Sequence, residues 1–153
     1  MNIKVVNLKN KFDSFSEYWN PKIVGELNEQ LVKVVKLKGE FVFHKHENED
    51  EMFYVIEGKL KMALDQNKTL NISAGEFVII PKGTNHKPIA VGQVKVMLFE
   101  PKATLNTGDK KNKFTVNNLQ IIYSKISKEL LIRPKLPKLA IAFLTSKVNL
   151  QNK

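Results

Sequence analysis

A succession of short apolar segments, separated by turn residues, constrains the fold of this chain more than any other feature. Turn signals such as Glu57-Gly58, Ala74-Gly75 and Lys82-Gly83 punctuate the pattern. Many short strands with evenly spaced turns predict an all-β sandwich or barrel. The predicted strands are rich in Val, Ile, Leu and Phe and cover 23–28, 31–38, 40–46, 51–56, 59–64, 69–72, 77–80, 87–91 and 94–100.

Near the N-terminus the spacing of apolar residues is helical instead. Phe12, Phe15 and Trp19 lie three or four positions apart, so one face of a helix would carry all three. We predict a short helix over 11–19 that ends before Pro21, because proline disfavours helix in the residue before it. Trp19 is expected to pin this helix to the body of the domain.

The charge distribution divides the chain in two. Residues 1–103 carry 15 Lys or Arg and 13 Asp or Glu, whereas residues 104–153 carry 10 and 2, out of a formal net charge of +10. Arginine, the side chain that most often reads base edges, occurs once, as Arg133. We therefore predict a domain over 1–119, a basic C-terminal extension over 120–153, and no nucleic-acid partner. The extension could form extra strands, a short helix or a weakly ordered appendage.

The composition also excludes several classes of protein. Cysteine is absent, which excludes disulfides, iron–sulfur clusters and thiol nucleophiles. No stretch approaches the roughly 18 apolar residues of a membrane span, and the first residues lack the apolar run of a secretion signal. We expect a cytoplasmic protein that does not contact a membrane.

The three histidines and one acid are spaced in a way that suits a metal. His44 and His46 are two residues apart, so on a strand both imidazoles point to the same face. Glu51 opens the next predicted strand, which a hairpin would place beside the histidines. His86 arrives later, after a tight turn.

These positions resemble the two sequence motifs of the cupins. The likeness covers roughly 3–119, and it is shared with small single-domain bacterial cupins often labelled mannose-6-phosphate isomerase-like. It rests on several fixed spacings at once: His44-x-His46-x4-Glu51-x6-Gly58 for the first motif and Gly75-x5-Pro81-x-Gly83-x2-His86 for the second. The resemblance implies a double-stranded β-helix, or jelly roll, as the fold.

The resemblance also implies one divalent metal held by His44, His46, Glu51 and His86. Asp50 is the alternative acid, because some cupins use a spacing shorter by one residue. Three imidazoles and a carboxylate suit Fe(II), Mn(II), Ni(II), Co(II) or Zn(II), whose identity the ligand types do not decide.

Strand alternation predicts which side chains surround the metal. Phe53 and Val55 share the face of Glu51, and Pro88 and Ala90 share the face of His86. Further candidates are Met62, Phe77, Ile79, Met97 and Phe99. Strand lysines, such as Lys33, are expected to face solvent, and no arginine in the barrel segment could clamp a phosphate or carboxylate.

The functional hypothesis is a small metalloprotein that acts on or binds a small organic molecule. If it is an enzyme, a metal-dependent isomerase or oxygenase of the cupin type is expected. The alternative is a non-catalytic metal-binding, ligand-binding or sensor module, because no general base is evident beyond the metal ligands. Cupins commonly dimerise by edge pairing, so we expect a homodimer.

Overall fold

The structure, a computed structural model, describes residues 3–122, within which one short helix and seven strands are found. Most of the predicted extension over 120–153 lies outside the described residues. The elements are α1 (Leu8–Asp13), β1 (Lys22–Leu27), β2 (Gln30–Glu40), β3 (Glu51–Leu64), β4 (Thr69–Ser73), β5 (Phe77–Ile80), β6 (His86–Pro101) and β7 (Gln120–Ile121).

The strands form one sheet, in the order β4-β3-β6-β2-β1-β7, with β5 also paired to β3. All pairings are antiparallel except that of β7, which runs parallel to β1. This all-β arrangement confirms the predicted fold class. β7 extends the sheet to Ile121, and the Ile122 amide donates to the Ile23 carbonyl at 2.9 Å.

Several predicted elements differ from the observed ones. The predicted strands 51–56 and 59–64 are a single strand, β3, and the predicted strands 87–91 and 94–100 are likewise one strand, β6. The predicted strand 40–46 is wrong, because β2 ends at Glu40. Beyond that point the segment contacts β6 through the Phe41 amide, which donates to the Pro88 carbonyl at 3.0 Å, and through an isolated bridge between His44 and His86.

The helix begins and ends earlier than predicted. The Asn7 side chain accepts a hydrogen bond from the Asn10 amide and caps α1, and the helix ends at Asp13. Side-chain oxygens that satisfy free amides at a helix start fix its position more strongly than apolar spacing does. Trp19 therefore lies beyond the helix, in a loop beside β2.

The long strands β3 and β6 pair with each other twice. Near one end Met52 faces Phe99, and near the other Leu64 faces His86, with register shifts on both sides of Glu57. The shifts mark bulges, which bend a strand and increase its twist. Because of this bend, the start of β3 at Glu51 and the start of β6 at His86 come close together inside the barrel, although they lie at opposite ends of the strand pair.

Gly58 makes the bend possible. Its φ is +90°, and a Cβ there would lie 2.7 Å from the Gln93 carbonyl oxygen and 3.2 Å from the Val94 Cα. Only glycine adopts that backbone conformation freely and also lets β6 come so close.

The apolar core lies inside the barrel, between the two segments of the β3–β6 pair that lie on either side of Glu57. Its fully buried members include Val55, Leu60, Met62, Val94 and Val96. Two residues predicted as possible lining of the interior, Phe77 and Ile79, are instead 60% and 55% exposed. Alternation on β5 turns them outward, while Ile80 between β5 and β3 faces the core.

Candidate metal centre

Four side chains converge at one end of the barrel interior. One ligand atom from each of His44, His46, Glu51 and His86 lies within 4.8 Å of every other, and all four residues are buried. These are the four residues that the sequence predicts as metal ligands. The structure therefore places together a group that could hold a metal ion.

Three different segments supply the four residues. Glu51 opens β3, His86 opens β6, and His44 and His46 lie in the connection between β2 and β3. The connection is fastened to β6 because the backbones of His44 and His86 exchange two hydrogen bonds, at 3.0 and 2.9 Å. The Gly83 amide donates to the His46 carbonyl at 2.6 Å and fixes the other end.

Backbone carbonyls orient two of the imidazoles. His44 Nδ1 lies 3.1 Å from the Val42 oxygen, and His86 Nδ1 lies 2.9 Å from the Thr84 oxygen. A carbonyl only accepts, so each Nδ1 carries the proton in the neutral ring. The Nε2 lone pair of each ring is then free to coordinate a metal, the arrangement usual for metal-binding histidines.

Three buried atoms at the centre of the group lack hydrogen-bond partners. They are His46 Nε2, Glu51 Oε2 and His86 Nε2. Glu51 Oε2 lies 3.2 Å from His46 Nε2 and 3.4 Å from His86 Nε2. Buried polar atoms are nearly always satisfied, and unpaired ones point to an ion or water. A divalent metal with nitrogen and oxygen ligands fits these residues.

The electrostatics of the group favour the coordinating forms of His44 and Glu51, but not that of His46. Burial and the neighbouring His86 lower the pKa of His44 to about 4, so this imidazole is neutral at pH 7. For Glu51, burial alone would raise the pKa, but contact with His46 and His86 outweighs burial and holds the pKa well below its usual range. Burial lowers the pKa of His46, and contact with Glu51 more than reverses that shift.

The structure distinguishes the two candidate acids. Glu51 is buried among the imidazoles, whereas Asp50 is exposed and accepts a hydrogen bond from the Lys82 amide at 2.9 Å. Glu47 is also exposed and pairs with Lys45 at 2.5 Å. Among the neighbouring acids of this loop, Glu51 alone belongs to the convergent group.

A buried acid–base pair lies in the same half of the interior, and the sequence analysis missed it. Lys33 Nζ lies 2.7 Å from Glu100 Oε1, and neither side chain has exposed surface. The expectation that Lys33 faces solvent is therefore wrong. Alternation was the available signal, since Lys33 shares its strand face with the buried Leu31 and Val35.

Glu100 sits close to the convergent group. β3 and β6 are in register at Met52 and Phe99, so Glu51 and Glu100 are neighbours on adjacent strands. Burial and the charge of Glu51 raise the pKa of Glu100 to about 7, although Lys33 acts in the opposite direction.

A small pocket opens beside the group, and we refer to it as the Trp19 pocket. Its polar lining is limited to His44, Glu51 and Asn106, and the rest is apolar, including Trp19 and Phe53. Of the residues predicted to line a cavity, Phe53 and Pro88 do so. Val55, Ala90 and Met62 belong to the apolar core instead. Asn106 was not expected at a pocket, and Trp19, expected to pin the N-terminal helix, lines the pocket instead.

Residues 31–101 match the cupin domain family. The fold resembles the crystal structure of a cupin-2 domain containing protein from Shewanella frigidimarina, with 42% identity, a TM-score of 0.63, and coverage of 64% of this chain and 95% of that one. This chain is a member of the cupin family.

Two further proteins illustrate the range of similarity. Protein NMB1881 from Neisseria meningitidis is 26% identical with a TM-score of 0.60, over 65% of this chain and 100% of that chain. The uncharacterized protein YdbB of Bacillus subtilis is 34% identical over 64 residues, which are 42% of this chain and 57% of YdbB. The chain thus spans less than two thirds of that relative's length.

Across residues 3–122, no helix is long and apolar enough to cross a membrane.

Proposed function

We propose that this cupin holds one divalent transition metal on His44, His46, Glu51 and His86, and binds or acts on a small organic molecule in the Trp19 pocket. The observation that supports the proposal best is the set of three buried, unpaired ligand atoms that point to one place. Fe, Mn, Ni, Co and Zn all suit these ligand types.

A bound metal of this kind supplies Lewis acidity or an acidified water molecule. The chain's own residues contribute the surroundings. The carbonyls of Val42 and Thr84 hold two imidazoles in the coordinating tautomer. Apolar side chains on the pocket side, such as Phe53, limit the access of water and so strengthen the electrostatic effect of Glu51.

Catalysis and simple binding are both compatible with such a centre, and one observation favours binding. Asn106 is the only polar lining residue of the Trp19 pocket, apart from the two ligands, in the part of the chain described. Its amide is already engaged, donating to the Phe114 carbonyl at 2.8 Å and accepting from the Val116 amide at 2.9 Å. No free acid or base therefore faces the pocket within residues 3–122, as a ligand-binding or sensor module would have it. If the protein is an enzyme, isomerase or oxygenase chemistry is the expected class.

The first test compares Glu51→Gln with the matched variant Asp50→Asn. Metal content by elemental analysis should be one ion per chain in the wild type, and a competition titration should show that Glu51→Gln loses roughly 100-fold or more in affinity, since even outer-shell changes cost 10–100-fold. Asp50→Asn should bind like the wild type. His86→Ala should behave like Glu51→Gln. A wild type without metal, or an Asp50→Asn variant that loses it, would contradict the proposal.

A second test separates the enzyme from the binding module. The protein is reconstituted with Fe(II), Mn(II), Ni(II) or Zn(II) and screened against small-molecule substrates. Turnover that disappears in His86→Ala favours the enzyme, whereas saturable binding without turnover favours the module. A sugar phosphate is disfavoured because the barrel segment has no arginine and Lys33 is already paired with Glu100.

Three further assignments stay predictions. They are the division into a domain over 1–119 and an extension over 120–153, the homodimer, and the cytoplasmic location. Sedimentation of the full chain at several concentrations would test the homodimer. A mass near one chain at all concentrations would contradict it.

A further inference from the structure

We infer that the Trp19 pocket binds small molecules with a flat apolar body and an oxygen-bearing head group, with Trp19 and Phe41 as the stacking wall. The inference rests on the proposed function, because the head group would reach the metal while the body lies along the wall.

The backbone of Trp19 is the first observation. Its φ is +57°, a left-handed conformation that bulky residues rarely adopt. Two hydrogen bonds to the edge of β2 hold it there: the Trp19 amide donates to the Lys36 carbonyl at 2.9 Å, and the indole Nε1 donates to the Lys38 carbonyl at 3.0 Å. Strained residues that are held by their surroundings concentrate at binding sites.

The second observation is that aromatic contacts connect Trp19 to His44. The Trp19 indole stacks on Phe41 with centroids 4.9 Å apart and planes 26° apart. Phe41 in turn meets the His44 imidazole edge-on, at 5.2 Å and 76°. A series of aromatic contacts therefore runs from the pocket to one of the proposed metal ligands.

The third observation is the width of the pocket. The cavity has a volume of only about 30 Å³, so a ligand body has to widen it in order to enter. A flat body needs the least widening to enter it, and aromatic faces favour offset stacking with such a body.

The fourth observation is how few free polar groups lie along the pocket. The amide of Asn106 is engaged by Phe114 and Val116, and the indole N–H by Lys38. A ligand body with several hydroxyl groups would give up hydrogen bonds to water without replacing them. An apolar body would not, so the polar contacts of the ligand are confined to the head group near His44 and Glu51.

The experiment uses the full chain loaded with Zn(II), and three carboxylates with the same head group but different bodies. Benzoate has a flat body, cyclohexanecarboxylate an apolar body that is not flat, and acetate almost none. Trp19 is the only tryptophan in the chain, so its fluorescence reports on the pocket directly. Zinc binding is measured first and separately, by competition with a metal indicator.

Benzoate should bind the zinc-loaded protein about tenfold more tightly than either other acid and should change the Trp19 fluorescence, since stacking of one ring is worth up to about a tenfold change. Trp19→Asn removes the ring with little strain at this position, because asparagine adopts the left-handed conformation more readily. By calorimetry, this variant should lose the preference and still bind zinc. Phe77→Ala, which removes an exposed ring on β5, should keep the preference.

The outcomes separate this inference from the proposed function. Zinc binding with equal affinity for all three acids overturns the inference alone, as does a preference that survives in Trp19→Asn. Equal binding of benzoate and cyclohexanecarboxylate overturns the flat body. Failure to bind zinc overturns the proposed function and this inference with it.

Discussion

The two halves of the barrel interior are built from the same two strands and differ in chemistry. In one half β3 and β6 contribute Leu60, Met62 and Val94 to a dry apolar core. In the other half they contribute Glu51 and His86, together with other buried polar residues that the rest of the chain supplies: Lys33, His44 and His46. Depth of burial is therefore the same in both halves, and only the chemistry of the buried side chains changes.

The two halves therefore contribute differently to the stability of the fold and to the proposed function. Burial of apolar side chains is the main favourable contribution to folding, whereas buried ionised groups stabilise a fold weakly or not at all. Removing one partner of a buried pair in the polar half should therefore lower the free energy of unfolding strongly. The apolar half supplies most of the favourable free energy of folding. Changes in the two halves should accordingly differ in what they do to stability and to metal affinity.

The largest expected effect comes from breaking the buried pair in the polar half. Lys33→Met leaves Glu100 buried and unpaired, which should lower the free energy of unfolding by about 3–5 kcal/mol. Denaturant titration of the metal-free protein in EDTA measures it. In the wild type the raised pKa of Glu100 means that its neutral form stabilises the folded state, a contribution that is complete below the ordinary value near 4.5 and is lost as the pH rises through about 7. Lys33 stabilises only the ionised form of Glu100, so the loss caused by Lys33→Met should grow with pH.

The control for this prediction replaces both partners. Lys33→Met combined with Glu100→Leu fills the same space with apolar side chains and should recover most of the stability. If the double variant is as unstable as Lys33→Met, the loss comes from packing and not from the stranded charge.

A cavity in the apolar half should have a smaller and simpler effect. Leu60→Ala should lower the free energy of unfolding by about 3 kcal/mol, within the 2–5 kcal/mol typical of buried leucines. Affinity for the metal should stay within about twofold of the wild type, since Leu60 lies away from the ligand group. A large loss of metal affinity in this variant would show that the two halves are not independent.

The bend that joins the halves should affect both properties. In Gly58→Ala the new Cβ meets the Gln93 oxygen and the left-handed backbone is strained, so a loss of about 2–3 kcal/mol is expected together with weaker metal binding. Gly92→Ala is the matched control. Its φ is +77° but nothing lies within 4 Å of the added carbon, so only about 1 kcal/mol should be lost. Equal losses in the two variants would mean that the close approach at Gly58 is unimportant.

The sequence predicts local features of this molecule well. Period-two alternation and turn glycines identify most strands, because both signals depend only on neighbouring residues. The convergent group of His44, His46, Glu51 and His86 was also predicted, since the cupin motif spacings carry that information.

Features set by distant contacts were not predicted. The union of two predicted strands in β3 depends on how β6 pairs across the bulge at Glu57. The Lys33–Glu100 pair depends on two strands that are distant in sequence. Strand alternation places Lys33 on a buried face, but lysine is usually exposed, so the sequence analysis assigned it to the surface. The place of Trp19 depends on a left-handed backbone that no spacing rule describes.

The smallest expected effect concerns the pH dependence of stability, to which two histidines of the polar half contribute with opposite signs. His44 has a lowered pKa, so in the metal-free protein it stabilises the fold at neutral pH, and that contribution is lost as the pH falls below the ordinary 6.5 toward about 4. His46 has a raised pKa, so its contribution is complete below 6.5 and is lost as the pH rises through the raised value. Replacing His44 with Gln should therefore remove about 1 kcal/mol of the acid-side loss between pH 7 and 5.5, measured by denaturant titration in EDTA. An unchanged acid-side slope would mean that His44 takes up protons equally in the folded and unfolded states, so that folding does not lower its pKa.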